Sequence, residues 1–534
     1  MGLIRLDLAG GPAPVEPPAP AGLDDFDGPV AALRHLAASL GDPPFALVAG
    51  LVGGSGGPGT ARCAAVGVSP LSGGVAETRA EGPFAGGLRA AGATGIVLYG
   101  RAPAPVCVVV AGGRAWTEPA GDVWGSETGP ATDRLLERYG AGAAVAVIGT
   151  AGERGIAYAS IVTGRHHPLP RQGLGAVLGV KNVKAIVAVG DAPIPVADPA
   201  ALARIAAGYA EAAAHNKLTV WQQTMPGFGV WAGEPGYAPV AGFTDTTRGG
   251  GLGVVPDALA RAATVAACPG CPTDCVKVYA GAGLHQEALA MLGPNLGVAD
   301  PWPLLARCEQ LGLDPVEVGA ALATAAVPPA DVPGAVERIA TGAFRPRAGM
   351  ASKGIAIPPF DPRVQPNLGL AYAVSPIGPR YDLVEHDLDF DPVDGLPASF
   401  PEMRRLGVEV PRPRGVLDVP GTARLMRLWS GLDALGVCLF AATPTRPLRL
   451  PLVEDLVEAV TGRRPDVLGL GAARLRAQFA INRRLGLRPA DDTLPDLFFE
   501  EPVRAGRFAG AVLGRPAFEA AAVALRERLE AGGS

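Results

Sequence analysis

Residues 266–281 read AACPGCPTDCVKVYAG and place Cys268, Cys271 and Cys275 within eight positions. Packing alone does not require three thiols so close together. The chain has 534 residues and seven cysteines, too few for a disulfide framework, so the cluster invites a metal site. Its spacing is C-x2-C-x3-C. Zinc ribbons use two separate C-x2-C pairs, and radical enzymes carry the opposite order, C-x3-C-x2-C. A compact loop plus one distant cysteine suits a [4Fe–4S] cluster, which takes four thiolates. On spacing alone, zinc and an unligated coincidence stay open. The distant candidate is Cys438, in GLDALGVCLFAAT, whereas Cys63, Cys107 and Cys308 stand in the apolar or helical settings of ordinary buried thiols.

Composition narrows the partners. A net charge of −5 without basic clusters argues against nucleic acid or anionic lipid. No run of about 18 apolar residues offers a membrane span. The start, MGLIRLDLAG, alternates apolar Ile4 and Leu6 with Arg5 and Asp7, which reads as a strand and not as a signal peptide. A cytoplasmic location is the expectation.

The first 195 residues are β-rich: GIVLYG, PVCVVVAG, AAVAVIG and KAIVAVG are short apolar runs bounded by Gly or Pro. From AALARIAAGYAEAAAH onward the texture is helical, with Asp198 and Pro199 as a start signal. The predicted class is α+β. GGSGGPGT (53–60) lacks the Lys of a phosphate-cradling loop and reads as a turn, and GLGAVLG (173–179) is one residue too long for a dinucleotide fingerprint.

Several blocks, in order, resemble the aldehyde:ferredoxin oxidoreductases: ARCAAVGVSPLSGG, VAVIGTAGERGIAYASIV, RQGLGAVLGVKNVKAI, CPGCPTDC, EALAMLGPNLGV, ARCEQLGLDPVEV, LDALGVCLF and ADDTLPDLFFEEPV. The resemblance implies a β-sheet base domain (1–195) followed by two mainly helical domains (196–385 and 386–534). It implies a tungsten, or molybdenum, ion held by two pterins and one [4Fe–4S] cluster on Cys268, Cys271, Cys275 and Cys438. It also implies a small carbonyl substrate, ferredoxin or a similar electron carrier, and allows a homodimer.

The family holds each pterin on an Asp-x-x-Gly-Leu-Asp/Cys loop, where a carboxylate accepts the pterin's donor edge. Asp433 to Cys438 fits with Val437 in place of Leu, and Glu309 to Asp314 fits with Glu309 in place of Asp. Leu313 and Leu439 join the expected pterin contacts, with Arg62, Arg79 and Arg171 on the phosphate side.

The pattern also breaks. The Gly-Arg-Ala-Ala-Gly-Arg-Gly stretch becomes RHHPLPRQ, whose prolines remove N–H donors. Arg79 and Glu81 stand where the family has Asn and Gly. Glu-Tyr-Glu-Thr becomes His285-Gln286-Glu287-Ala288, and Tyr381 replaces a histidine. Glu287 is the expected general acid or base and Tyr381 the hydrogen-bond donor, with His285 and His386 as further catalytic candidates. Three readings stand: a metallopterin oxidoreductase, a repurposed scaffold that has lost the metallopterin, and a cluster-bearing electron-transfer subunit.

Overall fold

Short runs of small and β-branched residues, most of them buried on both faces, build the first third of the chain. The computed structural model describes residues 2–12, 15, 17, 28–224, 233–250, 264–279, 281–283, 286–393 and 395–531. Strands β1 (Gly2–Asp7), β2 (Phe45–Ala49), β3 (Cys63–Val68), β4 (Val75–Ala80) and β5 (Ala93–Tyr99) form one sheet in the order β1-β5-β2-β3-β4. Strands β6 (Val106–Ala111), β7 (Arg114–Pro119), β8 (Ala144–Ile148), β9 (Ile161–Thr163), β10 (His167–Leu169) and β11 (Val183–Val189) form a second, in the order β10-β9-β8-β11-β6-β7. Each of the four apolar runs singled out in the sequence is a strand here: β5, β6, β8 and β11.

Side chains alternate between faces along a strand. Phe45, Leu47 and Ala49 of β2 meet Val108, Val110, Ala146 and Ile186 of the second sheet in a shared core. Helices α2 (Phe84–Ala90) and α4 (Leu174–Val180) fill this core through Phe84, Leu88, Leu174 and Leu178. The outer faces are covered by α1 (Pro29–Ala38) and α3 (Thr128–Tyr139).

The helical region begins at α5 (Pro199–His215), where the Asp198 carboxylate accepts from Ala201 N–H as the N-cap, as read from the sequence. Helices α6 (Gln286–Leu292), α7 (Trp302–Leu311) and α8 (Pro315–Thr324) share one core through Leu289, Leu292, Leu305, Val318 and Leu322. A larger core joins α9 (Pro366–Val374), α10 (Val419–Leu435), α11 (Val467–Leu485) and α12 (Arg515–Ala531), and α5 packs on it. The architecture is α+β, a sheet base followed by helices. No described helix is long and apolar enough to cross a membrane.

Edge strand β4 matters most for the site. Its residues are all buried, yet Glu77 and Arg79 lie on the same face as Val75, two positions apart. That face looks toward α11, whose Arg474 pairs with Glu77 and whose Asn482 side chain accepts from Val75 N–H at 2.7 Å.

Candidate functional site

Cys268, Cys271 and Cys275 lie on the loop between β12 (Thr264–Val265) and β13 (Lys277–Tyr279). Cys438 follows Gly436, which caps α10 in the left-handed conformation. The glycine-rich turn 53–60 joins these two pieces. Cys438 N–H donates to Gly59 O at 2.8 Å. A Cβ at Gly59 would come within 2.6 Å of Ala441 Cβ, and one at Gly270 within 2.4 Å of Gly56 O. Both glycines have positive φ, so the stretch read as a turn is also the platform on which the cysteine loop and Cys438 meet.

All four cysteines line one cavity of about 190 Å³. Burial pushes the Cys275 thiol up to about 12, and Cys271 and Glu81 add to the rise. Burial, then Glu81, likewise raises Cys268 and Cys438, and the neighbouring thiols raise each further. Such thiols ionise together only around a strongly positive group, which an iron–sulfur cluster supplies. Among the described residues, no three His, Cys, Asp or Glu side chains could hold a metal ion directly. That is the geometry one zinc ion, with sulfurs about 2.3 Å from a single point, would need. Four thiols on one cavity are the donor type that an iron–sulfur cluster takes.

The cavity runs on to Arg171, Glu287, Arg380 and Tyr381. Glu287, on the first turn of α6, is pushed up to about 8 by burial; Arg171 and Arg380 oppose that rise, and Asp382 and Asp314 add to it. Its Oε1 is buried without a hydrogen-bond partner. Burial, then Asp382 and Glu287, lifts Tyr381 well above its usual value, so the phenol keeps its proton. His386 does not line the cavity. Its ring packs 4.5 Å from Phe360, and its Nε2 donates to Tyr381 O at 3.2 Å. Burial lowers it to about 4, leaving a neutral imidazole that props the Tyr381 backbone. His285 lies outside the described residues.

The expected pterin loops behave differently. Leu439 lines the cavity, as do Arg62, Arg79 and Arg171, but Glu309, Leu313, Asp314, Asp433 and Val437 do not. Glu309 Oε1 binds His166 Nδ1 at 2.6 Å, and its Oε2 accepts from Gly283 N–H at 2.8 Å. Asp314 caps α8, accepting from Val316 and Glu317 N–H, while its other oxygen takes Arg171 N–H at 2.5 Å. Leu313 and Val437 are packed in the interior. Asp433 pairs with Arg62 at 2.7 Å and Arg79 at 2.5 Å. Beside it is a void of only about 20 Å³, room for about one water. As they stand, the carboxylates of Glu309, Asp314 and Asp433 are engaged within the chain and do not fit the acceptor role at a pterin edge.

Asp382 and Glu317 went unnoticed in the sequence, whereas Arg380 is a candidate pocket residue of the repurposed-scaffold reading. Arg380 binds Asp382 through two N–H donors at 2.8 and 2.9 Å. Glu317, raised by burial to about 7, faces Arg171 at 3.3 Å. Glu77 also went unnoticed, and its signal was ETRAE (77–81), a charged run that begins inside the buried strand β4.

Comparison with known proteins places this arrangement. The N-terminal domain of aldehyde ferredoxin oxidoreductase matches residues 36–190, and its domains 2 and 3 match 201–327 and 334–525. A tungsten-containing aldehyde ferredoxin oxidoreductase of Pyrococcus furiosus is 27% identical over 544 residues, 86% of this chain and 83% of the relative. The WOR-like subunit of an aliphatic sulfonate oxidoreductase from the same organism is 26% identical over 302 residues, 48% of this chain and 46% of the relative. The active site complex BamBC of benzoyl coenzyme A reductase, solved with 1,5 dienoyl-CoA, superposes with a TM-score of 0.75 at 18% identity. That superposition covers 99% of this chain and 94% of that one, a likeness of fold. Matched along nearly its whole length, the chain belongs to the aldehyde ferredoxin oxidoreductase family.

Proposed function

We propose that this chain is an oxidoreductase, acting in the cytoplasm on a small carbonyl compound, an aldehyde or a close relative. It exchanges electrons singly with ferredoxin or a similar carrier through a [4Fe–4S] cluster on Cys268, Cys271, Cys275 and Cys438. The observation that carries this reading is the convergence of those cysteines on the same cavity as Glu287 and Tyr381.

Reducing a carbonyl to an alcohol consumes two electrons and two protons. Two successive deliveries through the cluster supply the electrons, each taken up with a proton, so that the half-reduced substrate is a neutral ketyl radical and the second electron and proton complete the alcohol. Glu287, protonated at pH 7 because burial holds it near 8, gives one proton, and solvent gives the other. Tyr381, kept protonated, donates a hydrogen bond to the carbonyl oxygen as charge develops there. In the reverse direction ionised Glu287 accepts the proton. The tungsten or molybdenum bis-pterin implied by the family forms no part of this sequence, because its expected carboxylates, Glu309, Asp314 and Asp433, are engaged elsewhere.

The test is viologen turnover by anaerobically purified protein across a panel of aldehydes, ketones and their alcohols. Carbonyl-dependent turnover is expected, lost in Cys438→Ser and reduced about 10²–10⁴-fold in Glu287→Gln. A protein with an intact cluster by electron paramagnetic resonance and no carbonyl-dependent electron flow would overturn the reading.

A further inference from the structure

We propose that the chain's own side chains occupy the seats of the family's metallopterin, and that the mature protein carries its iron–sulfur cluster without tungsten or molybdenum. Four guanidinium groups, of Arg62, Arg79, Arg380 and Arg474, meet four carboxylates, of Glu77, Glu81, Asp382 and Asp433. Arg62 binds Glu81 at 2.6 Å and Asp433 at 2.7 Å. Arg79 binds Asp433 at 2.5 Å and Asp382 at 3.4 Å, and stands 3.8 Å from Glu77. Arg380 closes on Asp382, and Arg474 on Glu77, with Asp433 4.0 Å away. By count the network is neutral, four guanidinium groups to four carboxylates, while Arg79 Nε and Nη2, Arg380 Nη1 and Arg474 Nε keep no hydrogen-bond partner.

Each pterin would bring a phosphate carrying about 1.5–2 negative charges. A phosphate needs cations in surplus, and here each guanidinium already faces a carboxylate. Releasing one to a phosphate strands a buried carboxylate, a change that is strongly destabilising. Burial works against the charge on Arg62, but Glu81 and Asp433 outweigh it and hold the guanidinium protonated. Two members of the network, Arg79 and Glu81, are the residues that depart from the family's Asn and Gly. They supply a cation and an anion that the family pattern lacks.

The pterin-edge acceptors are spent as well. Glu309, Asp314 and Asp433 have both carboxylate oxygens engaged within the chain. Each of these oxygens already accepts within the chain, so two parallel bonds from a pterin edge would have to compete with those partners. The cysteines and Glu287 line a cavity that the network borders through Arg62, Arg79, Glu81, Arg380 and Asp382, so loss of the metallopterin and retention of the cluster are compatible in one fold.

The experiment is metal and pterin analysis of the intact chain, expressed in a host that loads the tungsten-containing relative from Pyrococcus furiosus and purified anaerobically beside it. Iron, tungsten and molybdenum are counted per chain, and pterin is read by fluorescence after oxidative release. The expected result is about four irons, with tungsten, molybdenum and pterin at background while the relative is loaded. One tungsten or molybdenum per chain with released pterin would overturn the proposal. Its failure is separable from failure of the carbonyl reading. The metal count tests the seats, whereas dye turnover tests the reaction. A chain without iron as well as without tungsten would overturn the part of the proposal that keeps the cluster, and with it the carbonyl reading.

Discussion

Replacing Glu287 by Gln should stabilise the protein increasingly as pH rises. Burial lifts this carboxyl from 4.5 to about 8. The folded chain therefore binds its proton more tightly than the unfolded chain does. The stabilising contribution of the neutral carboxyl is complete below pH 4.5 and is lost as pH rises toward 8. At 1.36 kcal/mol per tenfold, that amounts to about 3 kcal/mol lost by pH 7 and about 4–5 kcal/mol above pH 8. Glutamine keeps the shape and cannot ionise. Any fixed difference in hydrogen bonding shifts its whole curve without changing the slope. Anaerobic thermal melts of both proteins from pH 5 to pH 9 should diverge steadily and become parallel only above about pH 8. Curves parallel across the whole range would refute the buried, neutral Glu287 and with it the acid–base role assigned to this residue.

Arg79→Met should cost about 3–5 kcal/mol of stability, because it leaves Asp433 and Asp382 short of a buried cation; unchanged denaturant midpoints would count against the ion-pair network. Cys438→Ser should lower bound iron and abolish the reduced-cluster resonance while leaving the far-ultraviolet dichroism intact; normal iron content would remove this residue from the ligand set. Gly59→Ala places a Cβ 2.6 Å from Ala441 at a left-handed φ, costing about 2–5 kcal/mol. Iron loading should fall with it, and full loading would show that the turn is no platform. His386→Gln should leave the pH profile of turnover between pH 6 and 8 unchanged, since the imidazole, near 4, is neutral throughout; a displaced limb would mean that it exchanges protons with substrate.

Much of this fold was legible without coordinates. The apolar runs that became β5, β6, β8 and β11 have too little polar surface to lie anywhere but between covered faces. Asp198 before Pro199 marks the start of α5, because that carboxylate reaches an N–H the helix leaves unpaired. The cysteine spacing points to a cluster because ligands close in sequence are close in space. Glu287 was legible as a carboxylate on an apolar helix face.

Tertiary structure alone decided which carboxylates were available. The sequence places Glu309, Asp314 and Asp433 beside Leu-Gly turns, a pattern equally suited to a pterin edge and to a helix end. What selects between them are partners distant in the chain: His166 for Glu309, Arg171 for Asp314, and Arg62 and Arg79 for Asp433. ETRAE announces that charge is buried in β4, but Arg79 meets Asp382 across 303 positions. A local pattern limits what a residue can form with its neighbours along the chain. Whether a buried charge is matched depends on how sheet and helices pack, because in a low-dielectric interior only a partner within a few ångströms offsets its desolvation.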